Sequence, residues 1–182
     1  MQRYLLLIVG TIVTVALDQW TKVLAATSLA LPNGELPGDA SLIRTRIHVV
    51  FESWFNFRLA GNQGVAFGLG NTLPEGWRVP LFVLITAVAA AVIVTLYRKA
   101  EQQGLQRVAL TLILGGAFGN IIDRIRLGYV VDFIDWHLGD KHWPTFNIAD
   151  VAISVGVGLL LIDMLLAGRH KKADEAARIA PD

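Results

Sequence analysis

The residues of this chain that are equipped for chemistry are carboxylates and amides: Asp18, Asp123, Asp132, Asp135 and Asp150, with Asn62, Asn120 and Asn147. Two carboxylates that share one proton can activate water, one taking its proton while the other, still neutral, polarises a carbonyl. The stretch GNIIDR at 119–124 closes an apolar run with an amide, a carboxylate and a guanidinium, and NIAD at 147–150 repeats the spacing of an Asn three residues ahead of an Asp. On a helix that spacing puts both polar groups on one face. Asp123 has Arg124 beside it as a charge partner, which suits a supporting role. Asp132 lies in YVVDFI with no adjacent cation, and apolar surroundings push a carboxyl pKa up. The dyad expected from the residues is therefore Asp132 with Asp150. A plain helix cap competes as the account of Asn147 and Asp150, because an amide followed three positions on by an acid satisfies free N–H groups at the positive helix end.

Other hydrolytic chemistries find little to work with. The four serines, Ser28, Ser41, Ser53 and Ser154, have no G-x-S-x-G setting. His48, His137, His142 and His170 show no metal-ligand spacing, and there is no H-E-x-x-H. With no cysteine, thiolate chemistry and disulfides are excluded. No metal and no cofactor are expected. The net charge of +1 gives no reason to expect nucleic acid as a partner.

The elements that must position these groups belong in a membrane. Of 182 residues 54% are hydrophobic and 17% charged, with a mean hydropathy of +0.52, values that a soluble domain of this size rarely combines. Apolar runs at 4–17, 79–97, 108–122 and 148–168, with flanking residues, predict transmembrane helices over about 4–28, 79–98, 106–123 and 148–167. Arg3, Arg98, Lys99, Arg107 and the tail residues Arg169, Lys171, Lys172 and Arg178 fall on one side, which the positive-inside bias makes cytoplasmic. Both termini are then inside, and Trp20, Trp54, Trp77, Trp136 and Trp143 sit at the outer interface. A cleavable signal peptide is the competing reading of the first run, but polar residues at helical spacing, Asp18 to Lys22, follow it in place of a small-residue cleavage site.

The outer side carries the elaborate segments, a region of about 31–77 and a loop of about 124–147. Residues 31–40 have turn chemistry. The run at 47–59 alternates, Val49, Phe51, Phe55 and Phe57 against Glu52, Asn56 and Arg58, and predicts a strand with one greasy face in a small sheet on the membrane surface. Gly115-x-x-x-Gly119 and Ala152-x-x-x-Gly156 predict close helix packing. The segment 168–182 reads as a solvated, fraying cytoplasmic tail. The fold class is an all-α integral membrane protein with four transmembrane helices and a small outer β-sheet, in one domain over 1–182.

Asp18-Gln19 with Lys22, NQGVAF at 62–67, Gly115-Gly116 through Gly119-Asn120 to Asp123-Arg124, VDF at 131–133 and FNIAD at 146–150 form an ordered set across nearly the whole chain. The set resembles the bacterial lipoprotein signal peptidases, or signal peptidase II. The resemblance implies an intramembrane aspartyl endopeptidase of the bacterial inner membrane, inhibited by globomycin and needing no metal; a monomer among membrane lipids is the expected state. It would cut the signal peptide from prolipoproteins just before a diacylglyceryl-modified cysteine. The family's catalytic pair falls on Asp132 and Asp150, and its other polar positions on Asp18, Lys22, Asn62, Gly64, Asn120, Asp123, Arg124 and Asn147. Asn62 and Gly64 could offer amide donors to the substrate backbone or the developing oxyanion. An insertion around 30–46 and Val65 in place of Ala depart from the pattern. A small proton-coupled transporter relaying protons through Asp123, Asp132 and Asp150 is the alternative, as is an assembly partner without catalysis. The first needs a polar path through inner halves that hold almost nothing ionisable before Asp163; the second leaves the carboxylates unexplained.

Overall fold

The computed structural model describes residues 2–31, 36, 40, 43–64, 75–100 and 104–179. In chain order these form α1 (Gln2–Leu29), β1 (Ala30–Leu31), β2 (Arg44–Thr45), β3 (His48–Phe51), β4 (Phe55–Asn62), α2 (Glu75–Lys99), α3 (Gly104–Leu127), β5 (Val130–Leu138), β6 (Lys141–His142) and α4 (Ile148–Ile179). Four helical stretches, Tyr4–Leu29, Gly76–Lys99, Gly104–Leu127 and Ile148–Leu166, are long and apolar enough to cross a membrane. The expected class of a mostly helical, four-span protein with a small sheet is what the chain adopts. The helix ends differ: α2 begins at Glu75, α3 runs past Asp123 to Leu127, and α4 continues to Ile179 where a fraying tail was expected. Much of the turn-rich segment after Leu31, and Val65 to Phe67, lie outside the described residues.

Helix α3 is the axis of the bundle and packs against all three others. Its glycines explain how. An added Cβ at Gly115 would come within 2.5 Å of Thr14 on α1, one at Gly119 within 2.6 Å of Asp18 Oδ2, and one at Gly116 would collide with the Ala149 carbonyl on α4. On α4, Gly156 faces Ala109 and Ile113 in the same way. The backbones can meet only because these positions carry no side chain. At one end of the bundle, Leu7, Ile93, Tyr97, Leu110 and Leu114 form an apolar cluster shared by α1, α2 and α3.

The opposite end of the bundle carries an antiparallel sheet of order β3-β4-β5-β6, beside a separate β1–β2 pair. The expected single strand over 47–59 is a hairpin, β3 turning into β4. The expected outer loop of 124–147 contains β5, the strand that pairs β4 on one side and β6 on the other. Its opening residues are buried on both faces, so β5 has no alternation to betray it. Gly128, at φ 81°, ends α3 in a left-handed cap, with its N–H on the Arg124 carbonyl at 3.0 Å, and turns the chain into β5. One face of the sheet rests on the C-terminal end of α1, where Ala25 and Leu29 meet Leu59, Tyr129, Val131 and Phe133.

A register shift between Phe57 and Ala60 matters for the site. Phe57 pairs with Ile134, but Ala60 pairs with Asp132 and Asn62 with Val130. One extra residue on β4 moves all later side chains to the other face. Without it Asn62 would point away from Asp132; with it, both share a face. The alternation expected for β4 also fails in part. Asn56 and Arg58, assigned to the polar side, turn against β5 to meet His137 at 2.9 Å and Asp135 at 3.2 Å.

Candidate active site

The polar centre lies where the C-terminal half of α1, the last turns of α3, the start of β5 and the N-terminus of α4 converge. From α1, Asp18 and Lys22 are four residues apart on the buried face, and both are almost wholly removed from solvent. Lys22 Nζ reaches Asp18 Oδ2 at 2.8 Å and Asp123 Oδ2 at 2.9 Å, and donates to Asn120 Oδ1 at 3.1 Å. All three ammonium protons have acceptors. Asp18 Oδ1 accepts the Ala149 N–H at 2.9 Å, which places a carboxylate on a free amide of the first turn of α4.

Asp123 was expected to pair with Arg124; its partner is Lys22. Asp123 also accepts from Gln19 Nε2 at 2.9 Å and from the Val131 N–H at 3.0 Å. Arg124 points the other way, as neighbouring helix positions must. Its Nη2 donates to the Gly64 carbonyl at 2.9 Å, Nη1 reaches the Asn120 carbonyl at 3.4 Å, and the guanidinium lies 4.4 Å over the ring of Phe82 on α2. The reason is tertiary: a lysine 101 positions earlier fills the space beside Asp123.

Asp132 receives no cation at hydrogen-bond distance. Its Oδ1 accepts from Asn147 Nδ2 at 2.7 Å and its Oδ2 from Asn62 Nδ2 at 3.1 Å. With 2% of its surface exposed, it is the most enclosed acid on the sheet's site-facing side. Burial, then the neighbouring charge of Asp150, pushes its carboxyl up to about 7, against the pull of the two amides and the more distant Lys22. Asp150 is only half-buried. Its Oδ1 accepts from Asn120 Nδ2 at 2.8 Å and its Oδ2 from the Asn147 N–H at 3.2 Å, while its own N–H returns to Asn147 Oδ1 at 3.0 Å. That reciprocal pair is a capping box. Capping and convergence on Asp132 thus coexist at Asn147, whose Nδ2 lies within hydrogen-bond distance of both Asp132 and Asn120.

The structure therefore brings Asp18, Lys22, Asn62, Asn120, Asp123, Asp132, Asn147 and Asp150 into one hydrogen-bonded network, with Arg124 and Gly64 at its edge. Gly64 does not hold out its N–H to a ligand, since it donates to Asn62 Oδ1 at 3.1 Å. Its carbonyl anchors Arg124. Asp135 is not part of the network. It faces the other side of β5, where Arg58 pairs with it at 3.2 Å and His142 Nδ1 lies 2.9 Å from its Oδ1. Gln19, not singled out for the site, ties α1 to α3 through Asp18, Asp123 and the Gly119 carbonyl. The sequence carried it only within the Asp18-Gln19 motif, because its bonds to Asp123 and the Gly119 carbonyl cross the helix pair, where local spacing shows nothing. Among the described residues no group of three acidic, histidine or cysteine side chains could hold a metal.

A half-open carboxylate and an enclosed, proton-retaining one, bridged by a shared asparagine, can pass a proton to and from water. Known proteins share this arrangement of sequence and fold. A family model described as signal peptidase (SPase) II matches residues 10–166. The chain is 44% identical over 173 residues to a lipoprotein signal peptidase of Syntrophotalea carbinolica, covering 93% of this chain and 97% of the relative. A second, of Geobacter metallireducens, is 38% identical over 94% and 98% of the two chains. A bacterial membrane enzyme structure solved by the in meso method at 2.3 Å resolution superposes with a TM-score of 0.72 at 31% identity, over 91% of this chain and 90% of that one.

Proposed function

The chain belongs to the signal peptidase II family, and from that premise we propose that it is an intramembrane aspartyl endopeptidase acting through Asp132 and Asp150. Its substrates are diacylglyceryl-modified prolipoproteins of the bacterial inner membrane, cut just before the lipidated cysteine, and globomycin inhibits it. One domain over 1–182 acts as a monomer, with both termini cytoplasmic and the dyad near the outer face.

The observation that carries the chemistry is the unequal setting of the two acids. Enclosed Asp132 keeps its proton up to a pH of about 7 and donates it to the scissile carbonyl oxygen. Half-open Asp150 accepts a proton from water as the water oxygen attacks the carbonyl carbon. In the tetrahedral gem-diol that results, Asp150 passes its proton to the leaving amine. The C–N bond breaks and Asp132 recovers a proton from a diol hydroxyl, so both acids end as they began. Asn120 and Asn147 hold Asp150, and Asn147 and Asn62 hold Asp132. The Lys22 cluster fixes α1, α3 and α4 relative to each other. A lipidated substrate in the outer leaflet would meet this dyad without lifting its acyl chains from lipid. The transporter alternative loses support from the apolar packing at the inner end.

The test is cleavage of a diacylglyceryl-modified prolipoprotein by the purified, reconstituted protein. Asp132→Asn and Asp150→Asn should each lower the rate by about 10²–10⁴-fold, the range for loss of a positioned acid or base. Normal cleavage by Asp132→Asn with none by Asp123→Asn would move the dyad. No cleavage by the unaltered protein would sink the peptidase reading.

A further inference from the structure

Between them α1 and α3 leave a groove of about 440 Å³. Ile12, Val15 and Ala16 of α1 and Phe118 and Ile122 of α3 line it, and Gln19 stands at its upper end. Its exposed lining is apolar. Asp132 and Asp150 are held by Asn62, Asn120 and Asn147, none of which lines the groove, so a chain seated here is distinct from a substrate whose scissile bond is at the dyad. Phe118, Ile122 and Arg126 follow one another at intervals of four along α3, so Arg126 stands above the groove on the same face. The exposed Arg126 touches Gln19 Oε1 through Nη1 at 3.4 Å. Among the described residues it has no carboxylate partner. An apolar trough about 10–12 Å long, eight residues from Thr11 to Gln19 at the helical rise, ending in an unneutralised guanidinium, has the polarity of a phospholipid.

We propose that this groove is a binding site for one anionic glycerophospholipid of the outer leaflet, its acyl chain between α1 and α3 and its phosphate at Arg126. The site rests on the membrane-spanning reading and on this end of the bundle facing outward, and not on the dyad's chemistry. Through Gln19, which bonds Asp123 and the Gly119 carbonyl, the headgroup end adjoins the residues that set α1 against α3.

Native mass spectrometry of the full chain, released from detergent with equimolar phosphatidylglycerol and phosphatidylcholine, reads the site without requiring cleavage. The expected result is a one-to-one phosphatidylglycerol adduct favoured about fivefold, the effect of one basic residue near anionic lipid. Arg126→Gln should bring the two lipids to equal occupancy. Ala16→Phe, which fills the groove from an exposed position, should remove the adduct, while Val13→Phe on another exposed part of α1 should leave it intact. Equal adducts with the unaltered protein, or a preference that survives Arg126→Gln, would overturn the headgroup assignment. An adduct that survives Ala16→Phe, or is lost in Val13→Phe, would overturn the groove. A protein that binds phosphatidylglycerol selectively yet cleaves nothing would leave this site standing and the peptidase reading fallen.

Discussion

At the residue scale, four acids near one end of the bundle have four different environments. Asp18 and Asp123 share Lys22, Asp150 holds amides at a half-open position, and Asp132 is enclosed with amides and a like charge for company. The raised carboxyl of Asp132 gives a pH dependence with a definite sign. A neutral acid is present below about pH 7 and disappears above it, so kcat/KM should fall on the alkaline side of 7, about tenfold per pH unit. Asn62 donates to the charged form and holds that pKa down; Asn62→Ala should therefore carry the alkaline limb to higher pH. A limb that stays put or moves down in the pH–rate profile would reverse the assignment of Asp132 as the acid. Lys22 makes a separate prediction. Removing its charge in Lys22→Met leaves Asp18 and Asp123 buried and facing each other without a cation, and should cost about 3–5 kcal/mol of stability, read as a lowered Tm in detergent. The residues of this cluster were legible in the sequence because polar groups are rare in apolar runs. Their pairing was not: Arg124 adjoins Asp123 in the chain, yet Lys22 neutralises it, because helix geometry turns consecutive side chains about 100° apart.

At the element scale, α3 can sit at the centre only because its contact faces lack side chains. In Gly119→Ala the new methyl would enter the space of Asp18 Oδ2 at 2.6 Å and Ala149 Cβ at 3.2 Å. The overpacking should cost about 1–3 kcal/mol and, by moving Asp18 off Lys22 and the start of α4, slow cleavage as well. Gly158 on the same α4 helix has nothing within 4 Å, and Gly158→Ala should leave both Tm and cleavage rate unharmed. The small-residue spacing predicted close packing before any fold was known, but it did not say that the neighbour of Gly119 would be a carboxylate. Strand β5 shows the opposite difficulty. Its sequence VVDFIDWHL reads as a buried run without period, and only pairing with β4 and β6 reveals it as the strand that presents Asp132. The bulge in β4 had no sequence mark either, though it decides which face Asn62 joins.

At the scale of the whole molecule, a four-helix bundle carries its polar chemistry at one end and an exposed aromatic sheet beyond it, with Phe51 stacked on Trp54 at 4.6 Å. The proposed orientation puts that sheet outside. Because the chain has no cysteine, one introduced thiol reports its own side without background. Leu138→Cys, exposed at the end of β5, should react with a membrane-impermeant maleimide on intact spheroplasts, and Gly104→Cys, exposed at the start of α3, only after permeabilisation. The reverse pattern would invert the topology. The sequence by itself determined that four helices are long and apolar enough to cross a membrane and which polar groups they carry, since hydropathy and spacing along a helix are local properties. Tertiary structure alone decided which of those groups meet: Lys22 between two acids, Asn62 turned by a bulge towards Asp132, Asn147 shared by both members of the dyad. Lys22 with Asp18 and Asn147 with Asp150 are helix neighbours already visible in the chain, but Lys22 with Asp123, Asn62 with Asp132 and Asn147 with Asp132 come from different elements, where small shifts in helix packing and strand register decide which side chains come within about 3 Å.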